Sequence, residues 1–373
     1  MNKNSSIKSK NISHPLFGIS FRNWLKILLK NGGIDKEFFL RAFFITIASV
    51  STIPIRVIYN LKNRPKLEKI EIKKPPIFIV GHWRSGTTYL HELFCEDPQL
   101  GHISFWQTLL PESFLLLEGS KNFLSKFLPS SRPMDNIEVD MDGPYEEEAG
   151  MAVLFPWSFF HCLHFPKNAE EQYLKSIHFS NLDDLDIEEW KKEYLHLIKG
   201  ATYSNNGSRL VVKNPANTGR IKMLLNLFPN ALFVHIYRNP YKVYRSTLRM
   251  RNRVLEKLAL QKADKKEIKK QVIENYKRIM KKFFKEQNLI PEDQIVSVRY
   301  EDLVENPLGS MKKIYGKLGL KNFNEAKSYM ETYLERKSDY KTNVYTFDKE
   351  TIDTVDKNWG FTVKKWGYKP PQK

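Results

Sequence analysis

The chain has 373 residues, 41% hydrophobic and 13% aromatic, and carries a formal net charge of +18. That length affords one large domain or two modest ones. Its two cysteines, Cys95 and Cys162, exclude a disulfide framework and a cysteine-based zinc finger, and suit a reduced, cytoplasmic setting.

The net charge draws anions: nucleotides, nucleic acid or an acidic membrane face. No zinc-ligand spacing and no nucleic-acid motif accompanies it, so nucleic-acid binding is not expected. The opening stretch "MNKNSSIKSKNISHPLFG" has no apolar core leading to a small-residue cleavage site, and no secretory signal is expected.

Residues 1–70 read as an N-terminal helical extension. Within it the chain is uncharged from Ala42 to Ile55, between Arg41 and Arg56. A span needs about 20 apolar residues, and Pro54 interrupts this run. Two readings remain. One is a helix packed on the domain. The other is peripheral membrane contact through residues 38–64, with Arg41, Arg56, Lys62 and Arg64 at the rim. Packing is the preferred expectation, which leaves a cytoplasmic protein with membrane association as the variant.

Residues 71–373 form the main domain. "PPIFIVG" reads as a buried strand and "TTYLHELFCED" as a helix. A second strand covers Leu210 to Val212 and ends at Lys213, with the helix "GRIKMLLNLF" behind it. A third covers Leu232 to Ile236, followed by "YKVYRSTLRM". A fourth lies in "QIVSVRYEDL", followed by "PLGSMKKIYGKLGL". Continuous apolar strands alternating with helices predict an α/β fold: a P-loop-like parallel sheet flanked by helices. Residues 100–200 are less regular and rich in aromatics, and read as an acceptor-side insertion. From Lys257 to Lys285 the apolar positions Leu258, Val272, Tyr276, Ile279 and Phe283 predict one long amphipathic helix with a basic face.

After the first strand comes "GHWRSGTTYLHELF", Gly81 to Phe94. A strand, a glycine turn and a helix N-terminus bring several backbone N–H groups to one point, where the helix dipole favours an anion. Ser85, Thr87 and Thr88 add hydroxyls and Arg84 a permanent cation. A triphosphatase loop would carry lysine after its second glycine, and an aspartate to help hold magnesium. Thr87 stands in the lysine's place, and no strand ends in a convincing aspartate. The loop is therefore read as gripping one 5′-phosphate with no obligatory metal. A second station follows the third strand: Arg238, the turn Asn239-Pro240, and Ser246 about two helical turns on. Either station alone also fits a capped helix start or a strand-end arginine.

Together, and in this order, the two stations resemble the sulfotransferase family that uses 3′-phosphoadenosine 5′-phosphosulfate (PAPS). "VVKNP" and "RPMDN…PYEEEAG" resemble its bacterial branch, and the likeness runs from about residue 75 to 320. The resemblance implies that Arg84, Ser85, Gly86, Thr87 and Thr88 hold the 5′-phosphosulfate, while Arg238 and Ser246 hold the 3′-phosphate. Tyr300 matches a tyrosine near the adenine, with a core aromatic as the alternative. Tyr89 stands where relatives often carry a stacking tryptophan. Lys364 and Lys365 fall where the family has a C-terminal loop closing over the 3′-phosphate, although a solvated basic tail is equally consistent.

Sulfuryl transfer needs cations at the leaving oxygen and a base for the acceptor hydroxyl. Lys213 matches a family lysine at the bridging oxygen. Cytosolic relatives carry a histidine two residues later. Here that position is Pro215, so the base is sought elsewhere: Glu146 and Glu148 first, His102 second. His161 and His164 read as core or acceptor-pocket residues. The apolar segments "ISFWQTLLPESFLLLEG" and "MAVLFPWSFFHCLHFP" favour a small-molecule acceptor that is a lipophilic, sterol-like or lipid alcohol, with a carbohydrate or glycolipid hydroxyl next. The rivals are a P-loop small-molecule kinase and a non-catalytic basic protein of membranes or nucleic acid. The sequence leaves the oligomeric state open.

Overall fold

A computed structural model describes residues 14–126, 140–337 and 346–371. The segment "RPMDN" lies outside these described residues. The chain divides into two compact units: Met1–Lys73 with Ile103–Gly207 and Arg251–Lys265, and Lys74–His102 with Ser208–Met250 and Lys266–Lys373.

The second unit is built on a five-stranded sheet. Its strands are β1 (Ile77–Val80), β2 (Leu100–His102), β3 (Arg209–Lys213), β4 (Leu232–Tyr237) and β5 (Ile295–Arg299), in spatial order β2-β3-β1-β4-β5. All four pairings are parallel, with Ile77 opposite both Val211 and Leu232, and Phe233 opposite Ile295. Alternate side chains serve opposite faces. Ile77, Ile79, Val234 and Ile236 join one core with Leu90, Phe94, Ile314 and Tyr315. On the other face the Phe78 ring lies 5.6 Å from Phe233, and His235 lies 4.3 Å from Phe283. Burial on both faces is why β1, β3 and β4 read as apolar runs, whereas β5 leaves Ser297 and Arg299 exposed.

Two expectations are corrected here. First, β2 lies in sequence that reads as irregular. Its three residues, with glycine in the middle, are too short for a pattern, and their pairing with Arg209–Val211 makes the strand. Second, the single helix expected over residues 257–285 is two, Pro240–Leu258 and Lys265–Glu286. The break is a tertiary effect. Leu260 N–H donates to the His164 carbonyl at 2.7 Å, and Lys262 N–H to the Asp35 carboxylate at 2.7 Å. The Gln261 amide binds the carbonyls of Asn31 and Gly33. Partners remote in sequence thus take donors that a helix would use internally.

The first unit is helical. Residues of the N-terminal extension and of the aromatic insertion share a core of Tyr59, Leu67, Trp106, Phe114 and Met141. Within it Arg56 is paired with Glu112 and Arg64 with Glu193. The stretch Met151–Pro166, read from sequence as acceptor-facing, is buried throughout and forms core. Glu148 fixes the turn inside it by accepting from Ser158 Oγ at 2.8 Å and Phe159 N–H at 2.6 Å.

Burial lowers the pKa of His82, His161 and His196 from 6.5 to about 4, and of His14 and His235 to about 3. Below pH 6.5 the unfolded chain takes up protons that these folded imidazoles refuse, so stability falls as pH falls. Each buried imidazole costs about 1.4 kcal/mol per pH unit between its two pKa values. The melting temperature is expected to drop steeply from pH 6.5 to pH 4. A flat melting curve series over that range would contradict neutral burial.

Candidate active site

The glycine loop, Lys213, Arg238, Ser246 and Tyr300 all belong to the second unit. At the end of β1 the backbone turns at Gly81, where φ is 148° and an added Cβ would lie 2.2 Å from the Ile236 carbonyl oxygen. Gly81 N–H donates to Thr218 Oγ1 at 2.7 Å, which pins the start of the loop to the turn after β3. Ser85 N–H closes the turn on the His82 carbonyl at 3.1 Å. Gly86, at φ 98°, ends the loop, and a Cβ there would lie 2.1 Å from the Tyr300 ring. The helix Thr87–Cys95 starts immediately after, so its first N–H groups cluster around the loop.

Arg84 is the strained member of this loop. It holds φ at 71°, a left-handed conformation uncommon for a residue with a Cβ. The result is a double engagement. Its Nε donates to Ser246 Oγ at 2.9 Å, and its carbonyl accepts from Arg238 Nη1 at 3.3 Å. The two anion stations read separately from sequence are thus one connected group. The Arg238 guanidinium lies 4.1 Å from the centroid of the Tyr300 ring, within cation–π range. Arg238 Nε is buried and makes no hydrogen bond among the described residues. Asn239 caps the following helix by accepting from Tyr241 N–H at 3.0 Å, and this fixes the helix that carries Ser246.

Lys213 ends β3, in register with Ile79 of β1. It is almost fully buried, and its ammonium donates to Thr88 Oγ1 at 3.4 Å. Tyr89 and Tyr300 are part-buried against the strand core. Burial first, then the neighbouring Tyr300 and Glu92, raise the Tyr89 phenol to about 12. His102 ends the edge strand β2, opposite Val211. Lys364 and Lys365, expected in a loop, lie in the last turn of the helix Lys349–Lys365. Packing explains the difference: Trp359 stacks on Tyr276 at 3.7 Å, and the Lys365 ammonium stands 4.9 Å from the Phe284 ring. The structure thus brings together Arg84, Ser246, Arg238 and Tyr300, and separately Lys213 with Thr88.

The acidic candidates belong to the first unit, at the helix Glu147–Leu154. Glu146 precedes it and is half-buried. Glu147 accepts from the Tyr194 hydroxyl at 3.1 Å. Glu148 is fully buried and engaged with Ser158 and Phe159. Sequence reasoning passed over Thr218. The only signal for it was a hydroxyl in "NPANTG", in the turn after a strand.

Residues 75–325 match the model of the sulfotransferase family. The chain belongs to that family. It is 30% identical over 356 residues to omega-hydroxy-beta-dihydromenaquinone-9 sulfotransferase Stf3 of Mycobacterium bovis and of Mycobacterium tuberculosis, covering 95% of this chain and 91% of each relative. The fold agrees. Sulfotransferase STF9 from Mycobacterium avium superposes with a TM-score of 0.67 at 16% identity, covering 95% of this chain and 98% of that one. STF1 from Mycobacterium tuberculosis gives 0.61 at 20% identity, with 84% and 86% covered.

In this sulfotransferase the two loop glycines differ in what opposes them. At Gly81 it is backbone, which cannot yield. At Gly86 it is a ring that can shift. Gly81→Ala is expected to destabilise by about 3 kcal/mol or more and Gly86→Ala by about 1–3 kcal/mol. Thermal unfolding of the two variants checks the order, and equal melting temperatures would refute it.

Proposed function

We propose that this sulfotransferase moves a sulfuryl group from PAPS to the hydroxyl of a lipophilic alcohol. The observation that carries the donor half is the joined cradle, in which Arg84 bonds Ser246 while its carbonyl holds Arg238. Two cations and a hydroxyl beside a helix N-terminus suit a nucleotide with phosphates at two positions. The buried Arg238 Nε supplies a donor that such a phosphate would engage. Bound there, PAPS would supply the activated sulfuryl group. Arg84, Ser85, Gly86, Thr87 and Thr88 would hold its 5′ end, and Arg238 with Ser246 its 3′-phosphate. Tyr89 and Tyr300 are the aromatic candidates for the adenine.

In the transfer, the acceptor oxygen bonds to sulfur while the bond from sulfur to the phosphate oxygen breaks. The bond pair leaves with the phosphate, and the hydroxyl proton goes to a base. Lys213 is proposed to balance charge on the leaving oxygen. Its burial removes competing water, so its electrostatic contribution is large. Among the base candidates Glu146 is preferred over Glu148, whose carboxylate is enclosed and already accepts two internal hydrogen bonds. His102 is the second candidate. The reaction is proposed to need no metal.

The acceptor class rests on the relative, whose name specifies an omega-hydroxylated dihydromenaquinone, together with its match to nearly the whole chain. The burial of Met151–Pro166 removes the sequence-based support that segment gave.

Two experiments test this reading. Adenosine 3′,5′-bisphosphate at about 100 times its dissociation constant should stabilise the fold by about 2.7 kcal/mol. AMP and ATP–magnesium should do less, and Arg238→Ala should lose the shift. A shift with ATP–magnesium alone would point to a kinase. In turnover assays, Lys213→Ala should lower kcat about 100- to 1,000-fold while keeping the bisphosphate shift. Glu146→Gln should lower kcat at least about 100-fold without loss of stability, whereas Glu148→Gln should act on the melting temperature. Full activity in Glu146→Gln would move the base to His102, and inhibition by EDTA would refute metal independence.

A further inference from the structure

We infer that the helices Phe39–Ser51 and Ile53–Lys62 form a docking face for an anionic phospholipid bilayer. The inference is independent of the donor site and concerns where the protein works.

The two helices bury their less apolar side. Ala42, Ile45 and Ser49 face inward from the first, and Arg56 and Tyr59 from the second. Outward point Phe39, Leu40, Phe43, Ile47 and Val50, at spacings that keep them on one side of the first helix. Ile53, Val57, Ile58 and Leu61 continue the stripe on the second, and Leu40 and Leu61 are 62% and 74% exposed. The charged residues that bracket this run are turned away from the stripe. Arg41 donates to the Ala259 carbonyl, and Arg56 is buried against Glu112 and the Gly18 carbonyl. A contiguous apolar surface of this kind marks an interaction site.

Charge selects the occupant. Exposed Lys36 precedes the stripe, and exposed Lys62, Lys66 and Lys69 follow it. Of the nearby acids, Glu37 is engaged with Lys262 and Glu68 with Arg64, and exposed Glu71 is outnumbered by the exposed Lys69, Lys73 and Lys74 around it. An apolar stripe with cations at both ends matches an anionic lipid surface, where acyl chains lie beneath phosphate. A second copy of this chain fits less well, because it would bring like charges together on a protein of net charge +18.

Among the described residues no single helix is long and apolar enough to cross a membrane, although the bent pair, broken by 45° at Thr52, reaches that measure together. The exposure pattern favours lying in the interface: one side of each helix is committed to protein, and the other is apolar. Sequence favoured packing over membrane contact for this segment. The structure gives the packing to one side of the helices and leaves the other for the bilayer.

The test is flotation of the full chain with vesicles of phosphatidylcholine, alone or with about 30% phosphatidylglycerol, for wild type and the double variant Phe43→Glu/Val57→Glu. Both substitutions are on the exposed stripe, so the fold should survive, as an unchanged melting temperature would verify. The wild type should float with the mixed vesicles, less with phosphatidylcholine alone, and the variant should bind at least about tenfold more weakly. Absence of wild-type binding would overturn the inference. So would equal binding by the variant, and so would a wild-type dimer that the variant dissolves without any vesicle binding. The bisphosphate-induced stabilisation, measured on the same samples, reports separately on the donor site.

Discussion

The site depends on two absent side chains. Gly81 lets the loop pass against the carbonyl of Ile236, and Gly86 lets it pass against the ring of Tyr300. Between these contacts the chain has only four residues in which to turn from a strand into a helix. That confinement accounts for the left-handed backbone at Arg84. Such strain persists only where surroundings enforce it. Here they do so at both ends: Thr218 holds the Gly81 amide, and Arg238 holds the Arg84 carbonyl.

The same turn sets the electrostatics. An arginine in ordinary helical or extended backbone would send its guanidinium elsewhere. With φ at 71°, Arg84 reaches Ser246 on a helix remote in sequence. Tyr300 serves twice, as the wall against Gly86 and as the ring beneath Arg238. The guanidinium is therefore held in place by the fold itself, and preorganisation of this kind would reduce the reorganisation cost of the anion binding proposed here.

Much of this was legible in the sequence. Three strands, β1, β3 and β4, were visible because both of their faces are buried, β5 because a helix pattern follows it, and the Gly81–Gly86 loop because it must carry glycines and hydroxyls in a fixed order. What was not legible depends on distant partners. The three residues of β2 have no pattern until β3 aligns them. The helix break after Leu258 exists because Asn31, Gly33, Asp35 and His164 take up the polar groups of residues 260–262. The bond from Arg84 to Ser246 joins motifs that sequence could only set side by side. Likewise, the aromatic richness of Met151–Pro166 was visible, but whether those rings line a pocket or fill a core is decided by packing.

The strand order also bears on how the chain comes into being. β1 is the first strand to be synthesised, yet it lies at the centre of the sheet, with β3 and β4 as its neighbours. Ile77 must therefore wait for Val211 and Leu232. Until then four consecutive apolar residues have no partner, while the Ile103–Gly207 segment of the other unit is being made. Pairings between residues so distant in sequence form slowly and leave strand edges open in the interval. The nascent chain thus carries apolar strand edges that the finished sheet pairs.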